Sequence, residues 1–303
     1  MIAAKTNQCL LVKTASEIAL KSVFVRRFFT KKLVQSIRFA LKRNKITCKE
    51  IIRGGGRLFL FCSDCKKAQR VLSTVAGIHA TAVALYFKGV EYSEIEQQTV
   101  AFAEKLLRRG DTFALDVNVA NNPAFSGGDL ERRLGAVVQK EIEGLKVKLK
   151  NPEKEICIEI REKDFFIYRE QALCLGGLPL GAEGNVALLF SGKKDDLLAG
   201  FLMLRRGCNV FPVVKKANPG MRKAIAKLVP LNGYREFILT EEKEMQKLIA
   251  ERRIQAIVAP DSKTDAKSIA AFKRFDAKQQ LVVLRPLLLY PKDFRALAGG
   301  LFR

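Results

Sequence analysis

The 303-residue chain has no tryptophan and a single histidine, His79. One histidine rules out sites built on two or more imidazoles and leaves one candidate partner for any Ser/His or Cys/His nucleophile. His79 lies in the apolar stretch Val75-Ala76-Gly77-Ile78-His79-Ala80, which suits a satisfied turn or strand histidine better than a catalytic base. Acidic residues are also scarce, with 31 Asp+Glu against 54 Lys+Arg for a net charge of +23. Apolar runs such as Leu281–Leu284 or Leu287–Tyr290 fall far short of the ~18 residues a membrane span needs. The first residues lack the basic, apolar and small-residue regions of a signal peptide, so the expectation is a cytoplasmic chain without a membrane partner. The seven cysteines, an odd number scattered along the sequence, read as reduced thiols and not as a disulfide framework.

What is present is a hydrophobic content of 48%, enough to bury sizeable cores and to exclude general disorder. The charge is segregated: residues 1–110 carry a net +14, residues 111–185 a net −3 and residues 186–303 a net +12. Two basic blocks around a near-neutral middle suit a surface that tracks a phosphate backbone. The sharpest piece runs from Leu20 to Asn44. Val25, Phe28, Phe29, Leu33, Ile37, Ala40 and Leu41 fall on one broad helical face. Arg27, Lys31, Arg38 and Lys42 fall together on the other, a stripe about 22 Å long that can follow phosphates but cannot read bases. With no tryptophan and with phenylalanines mostly at core-period positions, no platform for base stacking stands out.

Along the chain, expected elements are a strand at 9–13, a helix at 20–43, strands at 46–53 and 57–62 around the Gly54-Gly55-Gly56 turn, a helix from about Ser63 and a strand near 80–87. This β-α-β-β-α-β order is ferredoxin-like. Residues 92–109, 113–119, 129–143, 155–160 and 164–168 then read as helix, strand, helix and a strand pair, a second α+β unit. From Val186 onward, apolar strands at 186–190, 209–214, 235–239, 254–259 and 281–284 alternate with helix-length segments, which argues for a doubly wound parallel sheet. The linker is Leu175-Gly176-Gly177-Leu178-Pro179-Leu180-Gly181.

The strand at 186–190 feeds into Ser191-Gly192-Lys193-Lys194-Asp195-Asp196 and then an apolar-periodic helix, a strand–loop–helix arrangement that binds anions. Here the chain resembles the ThiI-type tRNA 4-thiouridine synthases, whose PP-loop ATP site reads Ser-Gly-Gly-x-Asp-Ser at this place. Further segments match in order: Glu17-Ile18-Ala19-Leu20-Lys21-Ser22, Val75-Ala76-Gly77-Ile78, Leu130-Glu131-Arg132-Arg133-Leu134-Gly135, Val147-Lys148-Leu149-Lys150-Asn151-Pro152, Gly176–Gly181, Leu204-Arg205-Arg206-Gly207-Cys208 and Leu284-Arg285-Pro286-Leu287. The resemblance implies a ferredoxin-like domain at 1–66, a THUMP RNA-binding domain at 67–174 and a degenerate PP-loop domain at 182–303, with α+β and α/β folds. It implies tRNA as the partner, gripped by the first two domains. The residues expected at RNA are Lys21, Arg27, Lys31, Arg38, Lys42, Arg132, Arg133, Lys146 and Lys148.

The loop departs from the family pattern. Lys193 replaces its second glycine and Asp196 its last serine. The Lys193 side chain occupies space that bare backbone leaves for pyrophosphate, and Asp195 and Asp196 themselves complement the helix dipole. The expectation is therefore a tRNA-binding relative without adenylation of its own. The alternative keeps an active sulfurtransferase in which Lys193 and Lys194 hold phosphates as point charges, with ATP and Mg²⁺ as cofactors and an external sulfur-donor protein. Pairing of two chains is left open. The segment Ala259-Pro260-Asp261-Ser262-Lys263-Thr264 departs from the family's Gly-Glu-Ser-Leu-Gly-Gln-like motif, and no rhodanese-like extension is expected beyond Arg303. Cys208 reads as a buried structural thiol. Cys62-Ser63-Asp64-Cys65 is a C-x-x-C that could join Cys9 and Cys48 as four thiolates for zinc; without a second C-x-x-C, small apolar residues are the default reading and no metal is expected.

Overall fold

The computed structural model describes residues 8–54, 56–169 and 171–288. Gly55 of the expected turn and the end of the expected third domain lie outside them. The strands are β1 Gln8–Thr14, β2 Cys48–Gly54, β3 Arg57–Cys62, β4 Ile78–Lys88, β5 Thr112–Ala120, β6 Lys146–Val147, β7 Lys154–Arg161, β8 Asp164–Tyr168, β9 Ala172–Gly176, β10 Asn185–Leu189, β11 Asn209–Val214, β12 Thr240–Glu241, β13 Ala256–Val258 and β14 Val282–Leu284. The helices are α1 Ser16–Ala19, α2 Val23–Arg43, α3 Cys65–Leu72, α4 Tyr92–Leu106, α5 Gly127–Glu141, α6 Lys194–Arg205, α7 Pro219–Ala226, α8 Met245–Arg252 and α9 Ala266–Asp276.

The chain forms two compact units that interleave in sequence. One comprises the chain up to Thr14 with Ile46–Arg70 and Ala80–Leu173; the other comprises Ala15–Lys45, Val71–His79 and the chain from Cys174. In the first, strands run in the order β2-β3-β1-β4-β8-β7-β5-β6. Its β4-β1-β3-β2 portion is the strand order of a ferredoxin-like sheet, with β3 antiparallel to both β1 and β2. Alternation decides the faces. Ile156, Ile158 and Ile160 of β7, with Phe113, Leu115 and Val117 of β5, pack under the apolar stripes of α4 and α5. The other face closes on itself. Phe59 of β3 stacks on Phe166 of β8 at 3.9 Å although three strand spacings, roughly 14 Å in a flat sheet, separate them. Ala82 and Ala84 of β4 supply the small floor this curl requires.

The second unit carries a parallel sheet in the order β12-β11-β10-β13-β14. In chain order that is 3-2-1-4-5, so the winding reverses between β10 and β13 and opens a crevice at their C-terminal ends. α6 is buried almost all round, from Leu197 to Leu204, as expected of a helix in the middle of a doubly wound sheet. The expected strand at 235–239 does not form; pairing with β11 begins only at Thr240. Val213 O accepts the Phe190 N–H, so Val213 faces β10 and its neighbour Pro212 faces the opposite edge without an N–H to offer.

The expected helix at 20–43 forms as α2, beginning only at Val23; Leu20–Ser22 separate it from the short α1, which lies before the expected range. Phe29, Leu33, Val34, Ile37, Ala40 and Leu41 form the buried stripe. Phe28, expected inside, sits one position off that stripe and is 43% exposed, with Lys32 over its ring. Within the second unit, α2 is held by Arg235, whose guanidinium lies 4.5 Å from the Phe39 ring centroid, and by an exposed Arg43–Glu236 pair at 3.1 Å.

Candidate nucleotide loop and basic surfaces

The loop after β10 lies at the crevice that the sheet order creates. β10 is buried between β11 and β13, and its chain leaves through Ser191 and Gly192, the latter at φ +90°, before α6 begins at Lys194. Three donors converge on one acceptor. Asp196 Oδ2 accepts the Ser191 N–H at 2.6 Å, the Ser191 hydroxyl at 2.8 Å and the Lys193 N–H at 3.0 Å. Asp196 is only 2% exposed, and its carboxylate sits in the first turn, where the dipole favours negative charge. Asp195 turns to the neighbouring loop after β13 and accepts from Ser262 Oγ at 2.7 Å. Lys193 and Lys194 are exposed.

A triphosphate at a strand–loop–helix junction needs these same N–H groups and the loop hydroxyl. Here they are spent on Asp196, and a second carboxylate stands one residue away. The residues present do not fit ATP: the Ser191 and Lys193 N–H groups and the Ser191 hydroxyl already have an acceptor, and an incoming phosphate meets like charge. The loop after β13 is fixed from its far side. Arg285 donates from Nε to Asp261 at 2.9 Å, forks onto both oxygens of Asp276 at 2.9 and 2.7 Å, and lies over Phe272. Sequence reasoning did not find the Asp195–Ser262 and Arg285–Asp261 pairs, since residues 67 and 24 positions apart carry no periodic signal.

The basic residues divide between the units. Arg27, Lys31, Arg38 and Lys42 are exposed along α2 and Lys21 is exposed just before it, all in the second unit. Beside them the chain exposes Leu20 (86%), Val23 (54%) and Phe24 (82%), an apolar tip the helix periodicity does not announce. In the first unit, Arg132 and Arg133 lie on α5, and Lys146 and Lys148 lie on and just after β6, held to β5 by Lys146 N–H to Asp111 O at 3.1 Å and Lys148 N–H to Phe113 O at 2.9 Å. Arg132 pairs with Asp129, while the Arg133 guanidinium stacks 3.8 Å from the Tyr92 ring centroid.

His79 and Cys208 also stand out in the sequence. His79 is an exposed residue of β4. Cys208 is buried against Glu183 O, and burial pushes its thiol up to about 11. No helix among the described residues is long and apolar enough to cross a membrane.

Two family models match: the ThiI ferredoxin-like domain over residues 9–82 and the THUMP domain over residues 91–170. A probable tRNA sulfurtransferase of Methanosarcina acetivorans is 34% identical over 208 residues, 67% of this chain and 50% of that protein. One from Methanothermobacter thermautotrophicus is 34% identical over 235 residues, 74% of this chain and 59% of that protein. The chain thus spans about half the length of the curated relatives it matches. Two solved structures share the fold. A crystal structure from Pyrococcus horikoshii Ot3 matches with a TM-score of 0.86 at 23% identity, covering 97% of this chain and 98% of that one. A 4-thiouridine synthetase in complex with RNA and with bound ATP matches with a TM-score of 0.75 at 20% identity, covering 97% of this chain and 84% of that one. Through its ThiI ferredoxin-like and THUMP domains, the chain belongs to the ThiI-type tRNA sulfurtransferase family.

Proposed function

We propose that this protein binds tRNA through its ferredoxin-like and THUMP domains and does not adenylate it at the loop 191–196. The observation that carries this reading is Asp196, whose carboxylate takes the loop donors a phosphate would use. The +23 charge supplies the sequence-independent attraction to a polyanion, and the exposed stripe of α2 is where phosphates are contacted. Lys21, Arg27, Lys31, Arg38 and Lys42 are the contacts from α2 and its entry, and Arg132, Arg133, Lys146 and Lys148 those from the THUMP region. Arg132 gives the weakest contribution of these, because Asp129 already neutralises it. The relatives named tRNA sulfurtransferase support tRNA as the nucleic acid.

Binding of unmodified tRNA over a series of salt concentrations tests the first half. The double variant Arg27→Glu/Lys31→Glu should weaken binding and lower the salt slope by about 0.7–0.9 for each phosphate that is no longer neutralised. Unchanged affinity and slope would overturn the placement of RNA on α2. A second reading, an active sulfurtransferase fed by an external sulfur donor, draws on the exposed Lys193 and Lys194 beside the loop. Lys193→Ala separates the two, since it abolishes ATP turnover in that case and changes nothing in ours.

A further inference from the structure

The C-x-x-C spacing pairs Cys62 with Cys65, but the fold gives Cys62 a different neighbour. β2 and β3 form the outer hairpin of the first unit's sheet, and their register sets Cys48 directly across from Cys62. The Ser63 N–H donates to Thr47 O at 2.8 Å. That bond closes the step just outside, so Cys48 and Cys62 form a non-hydrogen-bonded pair, the kind whose side chains approach closest. Cα atoms in such a pair lie about 4.5 Å apart, inside the roughly 4.4–6.8 Å that a disulfide spans. The Cys62 thiol hydrogen-bonds to Cys48, and Cys48 Sγ lies 3.3 Å from the Glu50 carbonyl oxygen of its own strand. Cys65 is buried instead, and its Sγ is directed at the Cys62 backbone oxygen at 3.9 Å.

Access follows from the position. Cys48 and Cys62 are both reduced and half-buried, on the edge of the sheet, while Thr47, Lys49, Ser63 and Asp64 around them are exposed. The register shifts between Cys48 and Glu50, a bulge that twists the edge beside the pair and keeps another strand from covering it.

We propose that Cys48 and Cys62 are a modification site that forms a reversible cross-strand disulfide with a low-molecular-weight disulfide as oxidant. One protein thiolate attacks the oxidant's S–S bond, forming a mixed disulfide and releasing one small thiolate. The second protein thiolate then displaces the other half of the reagent, and the Sγ–Sγ bond forms. Two protein thiols are oxidised and one reagent disulfide is reduced to two thiols, with no further reactant. The hydrogen bond to Cys48 and burial raise the Cys62 thiol, so the pair is slow to attack; the same property makes it a poor leaving group, and the bond, once formed, resists the return reaction. Its effect is to staple the β2–β3 edge.

The test treats the full chain with glutathione disulfide at mildly alkaline pH, alkylates the remaining thiols, and maps linked peptides by mass spectrometry. The expected product is a Cys48–Cys62 link that dithiothreitol reverses, that survives Cys65→Ser, and that Cys48→Ser replaces with a glutathione adduct on Cys62. A Cys62–Cys65 link overturns the assignment. So does the absence of any Cys48–Cys62 link in protein whose half-buried Cys174 has become glutathionylated, since the oxidant was then active.

Discussion

Replacing Asp196 with alanine removes the one acceptor for three donors, and the cost can be worked from the geometry. The carboxylate is 2% exposed and receives the Ser191 N–H, the Ser191 hydroxyl and the Lys193 N–H at 2.6 to 3.0 Å. A bond to a charged acceptor contributes about 1.5–3 kcal/mol, and losing a capping side chain at a helix start costs about 0.5–2 kcal/mol. The three share one group, so they do not add, and water reaches Ser191 once the carboxylate is gone. About 3 kcal/mol is the expected loss, which for a unit of this size lowers Tm by about 6–12 °C. Asp195→Ala is the matched comparison, because its partly exposed carboxylate accepts one bond, from Ser262 at 2.7 Å; it should cost about 1.5 kcal/mol, the low end of that range. Urea unfolding followed by circular dichroism measures both. A loss for Asp196→Ala no larger than that for Asp195→Ala would mean that the loop donors do not depend on this carboxylate.

The linker glycines make an independent contrast. Gly177 has φ +76° and a Cβ there would lie 2.2 Å from the Arg205 carbonyl oxygen, whereas at Gly176, φ +67°, the nearest neighbour is the Arg205 guanidinium tip at 3.8 Å. Gly177→Ala should therefore destabilise by well over ~2 kcal/mol and Gly176→Ala by only the ~1–2 kcal/mol of left-handed backbone, read as a Tm difference between the two variants. Asp111 provides the pH test. Hydrogen bonds from Lys154 and the Arg108 N–H hold its carboxyl below the ordinary 3.8. Its contribution is fully present above that value and is lost as pH falls through the lower folded value, so the urea midpoint should drop more steeply there in wild type than in Asp111→Asn.

How much was legible in the sequence depended on how local the cause was. The β-α alternation from residue 186, the ferredoxin-like order near the start and the buried stripe of α2 all follow from apolar periods a single element carries, and the sheets form in the corresponding orders. The strand expected at 235–239 fails through its neighbour, since Pro212 belongs to β11 and its missing N–H is felt only across the edge. Phe28 differs from Phe29 by one position on a helix, and which of the two is covered is settled by packing, with Leu33 and Ile37 in line below Phe29. The site shows the same division. Two carboxylates at a helix start are plain from Asp195-Asp196, but that one caps the loop and the other crosses to Ser262 depends on the parallel pairing of β10 with β13. The C-x-x-C spacing suggested the neighbour along the chain, while hairpin register supplied the one across it.

Pyrophosphate release separates RNA binding without adenylation from an active synthase. The full chain, shown in the same preparation to hold unmodified tRNA, is incubated with labelled ATP and Mg²⁺, with and without that tRNA. The expected result is bound tRNA and no pyrophosphate above the protein-free rate in either case. Release that depends on tRNA would contradict it, and would mean that the loop yields its Asp196 contacts to a nucleotide and that Lys193 and Lys194 serve as the phosphate clamp.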